Sequence, residues 1–186
     1  MVPIVLDTEK LSIAVVGTGP EALGRLRLLR RHGAHPVAIY LTAPDEAIDT
    51  EADVPPVERL PTAQDLRTVD VVFAGGLTPV EADALQVAAR QAKVLLNVED
   101  MRTHCDFHMP ATVLRGDLLM TVSTGGASPG LARRIARRLG ELFGAEWEGR
   151  LGELRLQREK WRAAGRDAAA VKQETDHYID QKGWLS

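Results

Sequence analysis

Residues 11–22 read LSIAVVGTGPEA, and this stretch decides the fold. The apolar run 11–16 ends at Gly17, as a strand buried on both faces of a parallel sheet does. Gly17-Thr18-Gly19-Pro20-Glu21-Ala22 then matches G-x-G-x-x-A, between that strand and a helical pattern. The pattern predicts a helix over Glu21–His32. Leu23, Leu26, Leu28 and Leu29 form its apolar side, Arg25, Arg27, Arg30 and Arg31 its polar side, and Gly33 stands where a C-terminal glycine cap belongs. Residues 36–41, PVAIYL, supply a second strand and complete a βαβ unit.

The turn has a physical logic. Gly17 permits the tight bend, Gly19 keeps no side chain between backbone and ligand, and Ala22 lets the helix approach the sheet. The helix start offers unpaired N–H groups and a partial positive charge to an anion. A nucleotide diphosphate fits this arrangement; a tight turn that binds nothing is the alternative. Glu21 places a negative charge near the expected diphosphate position. The second strand ends in Ile39-Tyr40-Leu41-Thr42, without the acid that usually holds an adenine ribose. Asp45 and Glu46 substitute for it only if the loop folds back. No basic residue at that strand end supports a 2′-phosphate, so NAD is preferred over NADP. The residues expected to line the cofactor are Gly17, Thr18, Gly19, Pro20, Glu21, Leu41, Thr42, Gly75 and Gly76.

Farther along, residues 42–61 are acidic and proline-punctuated, predicting neither helix nor strand apart from a short strand near 57–60. A strand over 69–74 runs into Gly75-Gly76, a helix follows over 79–92, and a strand over 93–98. This alternation predicts an α/β fold with a Rossmann-like parallel sheet and helices on both faces. After Asp100 the pattern changes. Residues 112–115 and 118–123 read as two short strands about Gly116-Asp117. A glycine-rich turn, Thr124 to Gly130, leads to a helix with Ser128 as N-cap and Pro129 in its first turn. Leu131, Ile135, Leu139 and Leu142 form its apolar stripe. From Glu146 the chain reads as helical and highly charged, and its stripe needs the body or a second subunit to cover it. The expected divisions are 1–111, 112–145 and 146–186.

The 186 residues are 45% hydrophobic, with one cysteine, Cys105, which excludes a disulfide-stapled fold. No apolar run reaches the roughly 18–20 residues of a membrane span, and the acidic start resembles no signal peptide, so the expectation is a cytoplasmic protein without a membrane role. The net charge of −3 argues against nucleic acid as a partner. The tail is basic, and Arg133, Arg134, Arg137 and Arg138 either face solvent or hold a carboxylate-rich or phosphate-rich ligand. His104, Cys105, Asp106 and His108 lack the second ligand pair of a structural zinc site, so no resident metal is expected.

Asn97-Val98-Glu99-Asp100, Cys105-Asp106-Phe107-His108-Met109-Pro110, Arg115-Gly116-Asp117-Leu118, Ser123-Thr124-Gly125-Gly126-Ala127-Ser128-Pro129 and Leu131-Ala132-Arg133-Arg134 follow one another in fixed order. With Pro3-Ile4-Val5-Leu6-Asp7 running into LSIAVVGTG, they resemble the siroheme synthase N-terminal family over about residues 3–140. That resemblance implies a Rossmann-like domain, a small dimerisation domain and a helical C-terminal region, interlocked as a homodimer. It implies NAD-dependent dehydrogenation of precorrin-2, a tetrapyrrole, to sirohydrochlorin, with ferrous iron inserted by the bifunctional members. Asp100 occupies the family's key aspartate position as proton acceptor, and Arg115, Arg133, Arg134 and Thr124 are candidates for the substrate. Thr18 replaces the family's middle glycine, and Ala74-Gly75-Gly76 replaces a segment carrying acids and an asparagine. A chelatase or tetrapyrrole-binding relative that has lost NAD, and a non-catalytic regulatory relative, are the alternatives.

Overall fold

The computed structural model describes residues 1–185 and divides into two compact units, Met1–His108 and the chain from Met109 onward. The first unit is a four-stranded parallel sheet in the order β2-β1-β3-β4. Its elements are β1 (Ile13–Gly17), α1 (Gly19–Arg31), β2 (Val37–Tyr40), α2 (Glu46–Glu51), β3 (Val71–Gly75), α3 (Pro79–Ala92) and β4 (Leu95–Val98). The period-2 alternation of strand side chains sorts the core into two layers. Ala14, Val16, Val72, Ala74, Leu96 and Val98 pack against Ala82, Leu85, Ala88 and Ala89 of α3. Ile13, Val15, Val37, Ile39, Val71 and Phe73 pack against Ala22, Leu26 and Leu29 of α1 and Ile48 of α2. Each fully buried leucine here is worth about 1.5–3 kcal/mol of transfer free energy.

Local signals set the helix ends. Gly33 donates to the Arg30 carbonyl and Ala34 to that of Leu29, closing α1 through a left-handed glycine. Thr78 and Glu81 form a reciprocal capping box before α3, with Pro79 at its first position. The 42–61 segment departs from its reading. It contains α2, capped by Asp45, whose carboxylate accepts from Ala47 and Ile48. The short strand near 57–60 reduces to a single bridge between Tyr40 and Val57.

The second unit opens with an antiparallel hairpin, β5 (Ala111–Arg115) and β6 (Leu118–Val122), turned by Gly116-Asp117. Helix α4 (Pro129–Leu142) starts at Ser128, which accepts from the Leu131 amide, and packs on the hairpin. Helices α5 (Glu146–Ala163) and α6 (Ala168–Lys182) pair with each other, and α5 also contacts both hairpin strands, so the helical region lies within this unit. Chain reversal between them uses Gly165 at φ +78° and Asp167, which caps α6 through the Ala170 amide. Trp147, Trp161, Tyr178 and Trp184 make edge contacts, and the Arg150 guanidinium lies 5.0 Å from the centre of the Trp147 ring.

The face α4 turns to the hairpin is not its leucine stripe. Ala132 and Ala136 are buried, whereas Leu131, Ile135 and Leu142 are 51%, 40% and 58% exposed. The small residues allow close approach to a two-stranded sheet, and the larger apolar ones point outward. Among the described residues no helix is long and apolar enough to cross a membrane.

Candidate functional site

Strand order 2-1-3-4 places a topological switch point between β1 and β3, where α1 and α3 leave on opposite faces. Open α/β sheets bind ligands at this carboxyl edge. Gly17 is paired with Gly75 across the two strands, and the turns behind them interlock. A Cβ on Gly17 would lie 1.9 Å from the Gly75 carbonyl oxygen, and one on Gly76 2.1 Å from that of Thr18. Both positions have positive φ, +122° and +68°. Glycine is therefore demanded by backbone packing as well as by any ligand.

The expected residues Gly17, Thr18, Gly19, Glu21, Thr42, Gly75 and Gly76 do meet at this edge. The Thr18 and Thr42 hydroxyls stand 3.2 Å apart. Glu21 folds over the turn, its Oε2 being 3.3 Å from where a Gly19 Cβ would sit and 3.7 Å from where a Gly76 Cβ would sit. Pro20 contributes shape but no N–H. Leu41, at the end of the second strand, has its side chain buried in the core and its amide donating to the Val57 carbonyl.

Asp45 is brought to the glycine turn by the loop after β2, which folds back on it. Its Oδ2 accepts the Gly19 N–H at 2.7 Å while Oδ1 holds the start of α2. The Gly19 amide, aided by those of Ile48 and Ala47, holds this carboxyl below its ordinary value against a smaller opposing effect of burial.

Beyond β4, Glu99 continues the ladder by donating to the Ala74 carbonyl, and its carboxylate lies 3.5 Å from Arg25 Nε of α1. Asp100 follows at φ +57° and is exposed at the same sheet edge. Arg25 thus ties the helix behind the glycine turn to the strand end that carries Asp100, a pairing 74 residues apart in sequence that no local pattern announces.

Cys105 is structural: its Sγ accepts from the Val98 amide and lies 3.1 Å from the Val98 carbonyl. His104 pairs with Asp83 and Asp106 with Arg90. Among the described residues no group of three or more His, Cys, Asp or Glu side chains is arranged to hold a metal ion.

In the second unit the candidate substrate residues divide. Arg115 donates to the carbonyls of Phe143, Gly140 and Leu114, so its guanidinium closes the end of α4 while the residue also lines the groove between β5 and α4. The Thr124 hydroxyl is bonded to the Ser128 backbone in both directions, shaping the glycine-rich turn. Arg133 and Arg134 are exposed on α4. Arg133 lines a groove of about 650 Å³ between β5 and α4, together with Arg137 and Ala136.

A family model described as "Putative NAD(P)-binding" matches residues 4–111. The chain is 36% identical over 141 residues to a siroheme synthase of Methylococcus capsulatus, covering 74% of this chain and 29% of that protein. It is 34% identical over 164 residues to that of Thiobacillus denitrificans, covering 82% and 32%. The chain therefore spans about 30% of the length of these relatives. A solved structure named SirC, precorrin-2 dehydrogenase, superposes with a TM-score of 0.74 at 23% identity, covering 100% of this chain and 93% of that one, and shares its fold. The glycine-lined switch point and these matches agree: the chain belongs to the NAD(P)-binding family found at the N-terminal end of siroheme synthases.

Proposed function

We propose that the chain is a precorrin-2 dehydrogenase that uses NAD and works in siroheme biosynthesis. The observation that carries this is the pair of interlocked glycine turns at the β1/β3 switch point, with a carboxylate, Asp100, on the neighbouring strand end. Bound NAD+ supplies a hydride acceptor. The macrocycle gives up one C–H bond with its electron pair and one further proton, so two electrons and two hydrogens leave it, giving sirohydrochlorin, NADH and H+. The protein's part is to seat the diphosphate over the backbone of Gly17, Gly75 and Gly76, the Gly19 N–H being held by Asp45, and to take the proton at Asp100. In the second unit, taken by itself, the exposed guanidiniums of Arg133, Arg134 and Arg137 are suited to carboxylate groups. Iron insertion by the same chain would exchange two pyrrole protons for one Fe²⁺ with no change of oxidation state. Mixing the chain with NAD+ and precorrin-2 is expected to produce NADH and sirohydrochlorin in equal amounts. Absence of NADH, while a known dehydrogenase turns over in the same mixture, overturns the proposal.

A second reading, a tetrapyrrole-binding or chelatase protein without NAD, draws on the two carboxylates at the turn. Glu21 is the one turned over the glycines. Neutralising it as Glu21→Gln should tighten NAD+ binding about fivefold at low salt, a Coulomb effect on the order of 1 kcal/mol at partial exposure. The gain should shrink as salt is raised. Calorimetry is the suitable measurement, because all three tryptophans lie in the second unit. Saturable binding to the unaltered chain sets this second reading aside.

We further propose a cytoplasmic homodimer. The apolar side chains of Leu131, Ile135 and Leu142 on α4 are the surface that a second copy would cover. Light scattering should give twice the 20.3 kDa chain mass, and Ile135→Glu should return it to the monomer value; a monomer before substitution refutes the dimer.

A further inference from the structure

The β2–α2 loop puts a carboxylate where this family of sheets needs one, but not from the usual place. Where a dinucleotide lies across a β1/β3 switch point, its adenosine ribose sits above the end of the second strand, beside the glycine turn. In this chain β2 ends at Tyr40 without an acid. Five residues later Asp45 comes back to the turn and accepts the Gly19 N–H at 2.7 Å, next to the Thr18–Thr42 hydroxyl pair. An ionised carboxylate offers about four lone-pair sites. Three N–H groups, of Gly19, Ala47 and Ile48, point at this one. It is therefore fixed in place, and an acceptor site remains.

The surrounding charge has one sign. Residues 37–58 contain six acids (Asp45, Glu46, Asp49, Glu51, Asp53 and Glu58) and no lysine or arginine. Of the three α1 arginines that border this segment, Arg27 is paired with Glu51 and Arg30 with Asp53, and Arg31 is the last residue of the helix, at the opposite end from Gly19. Arg59, just beyond it, is held by Asp65. A ribose 2′-hydroxyl can donate to Asp45. A 2′-phosphate would meet a fixed anion that, among the described residues, no cationic side chain pairs with.

We propose that Asp45 is the residue that receives the adenosine ribose diol and sets the choice of NAD over NADP. This rests on the nucleotide-site reading above and adds the specificity determinant to it. Both substitutions that test it keep a side-chain acceptor for the start of α2: Asp45→Asn and Asp45→Ser, asparagine and serine being good N-caps. Calorimetric titrations of the full chain with NAD+ and with NADP+ give the readout. The unaltered chain should bind NADP+ at least about thirtyfold more weakly than NAD+, since a charged hydrogen bond is replaced by a like-charge contact. In Asp45→Asn, NAD+ should weaken about tenfold and the NAD/NADP ratio should fall to within about threefold. Asp45→Ser, shorter and uncharged, should bind NADP+ more tightly than the unaltered chain does. Unchanged ratios in both variants, or equal binding of the two nucleotides to the unaltered chain, overturn the role of Asp45 alone. Binding of neither nucleotide to the unaltered chain overturns the nucleotide site together with it.

Discussion

Gly17→Ala is expected to cost the first unit about 2–6 kcal/mol and to abolish NAD+ binding. Two effects add. The backbone at φ +122° is one that residues with a Cβ occupy at a cost of about 1–3 kcal/mol. The new methyl would also lie 1.9 Å from the Gly75 carbonyl oxygen. That obstacle is the backbone of the adjacent strand, so no rotamer change relieves it. Either β1 and β3 part at their carboxyl ends or the glycine turn is displaced, and overpacking of this kind costs a further 1–3 kcal/mol or so. Hydrogen exchange resolved to residues 13–17 and 71–75 should show faster opening, while tryptophan fluorescence, which reports the second unit, stays as it was. Gly24→Ala is the matched control: it lies inside α1 with nothing within 4 Å of a new Cβ, and it should stabilise the chain by about 0.5–1 kcal/mol. Unaltered exchange in Gly17→Ala would mean the two turns are not interlocked as described.

What could be read from the sequence was what short-range physics decides. The first strand, its glycine turn and α1 follow from one apolar run, one G-x-G and one arginine-leucine pattern. Thr78-Pro79 with Glu81 marks the start of α3 by itself, and Ser128-Pro129 marks that of α4. Features fixed by distant partners were hidden. Helix α2 has six residues between prolines, and its cap Asp45 is held in place by an amide 26 positions earlier. Arg115 has the composition of an anion-binding residue, yet the carbonyls at the end of α4 take its guanidinium, 25 and 28 residues on. The leucine stripe of α4 was legible as a stripe, but periodicity does not say which side faces the sheet; alanines at 132 and 136 won because they permit closer packing. Glu21 reads in the sequence as a negative charge beside an anion site, and the structure turns it over the glycines.

Asp100→Asn is expected to lower the dehydrogenase kcat by about 10²–10⁴-fold, the usual cost of removing a positioned proton acceptor, with NAD+ affinity unchanged. Two acids end β4, and the structure separates them. Glu99 is committed to Arg25. Asp100 is exposed at φ +57° and, among the described residues, carries no ion pair. A left-handed backbone there favours Gly, Asn or Asp, so asparagine retains both shape and conformation and removes only the charge and proton-accepting capacity. Alanine would add about 1–2 kcal/mol of backbone strain and blur the result. Asp100 is not among the residues that meet around the glycine turns, so calorimetric NAD+ binding should be the same in both proteins. Glu99→Gln gives the contrast: it should loosen α1 from β4 and lower stability, with kcat within a few-fold of the unaltered chain. If Asp100→Asn turns over within threefold of the unaltered chain, proton removal does not pass through residue 100. If kcat falls in step with a lost NAD+ affinity, residue 100 belongs to the cofactor cradle and is not the acceptor. A selective loss of kcat is the one result that assigns it the proton.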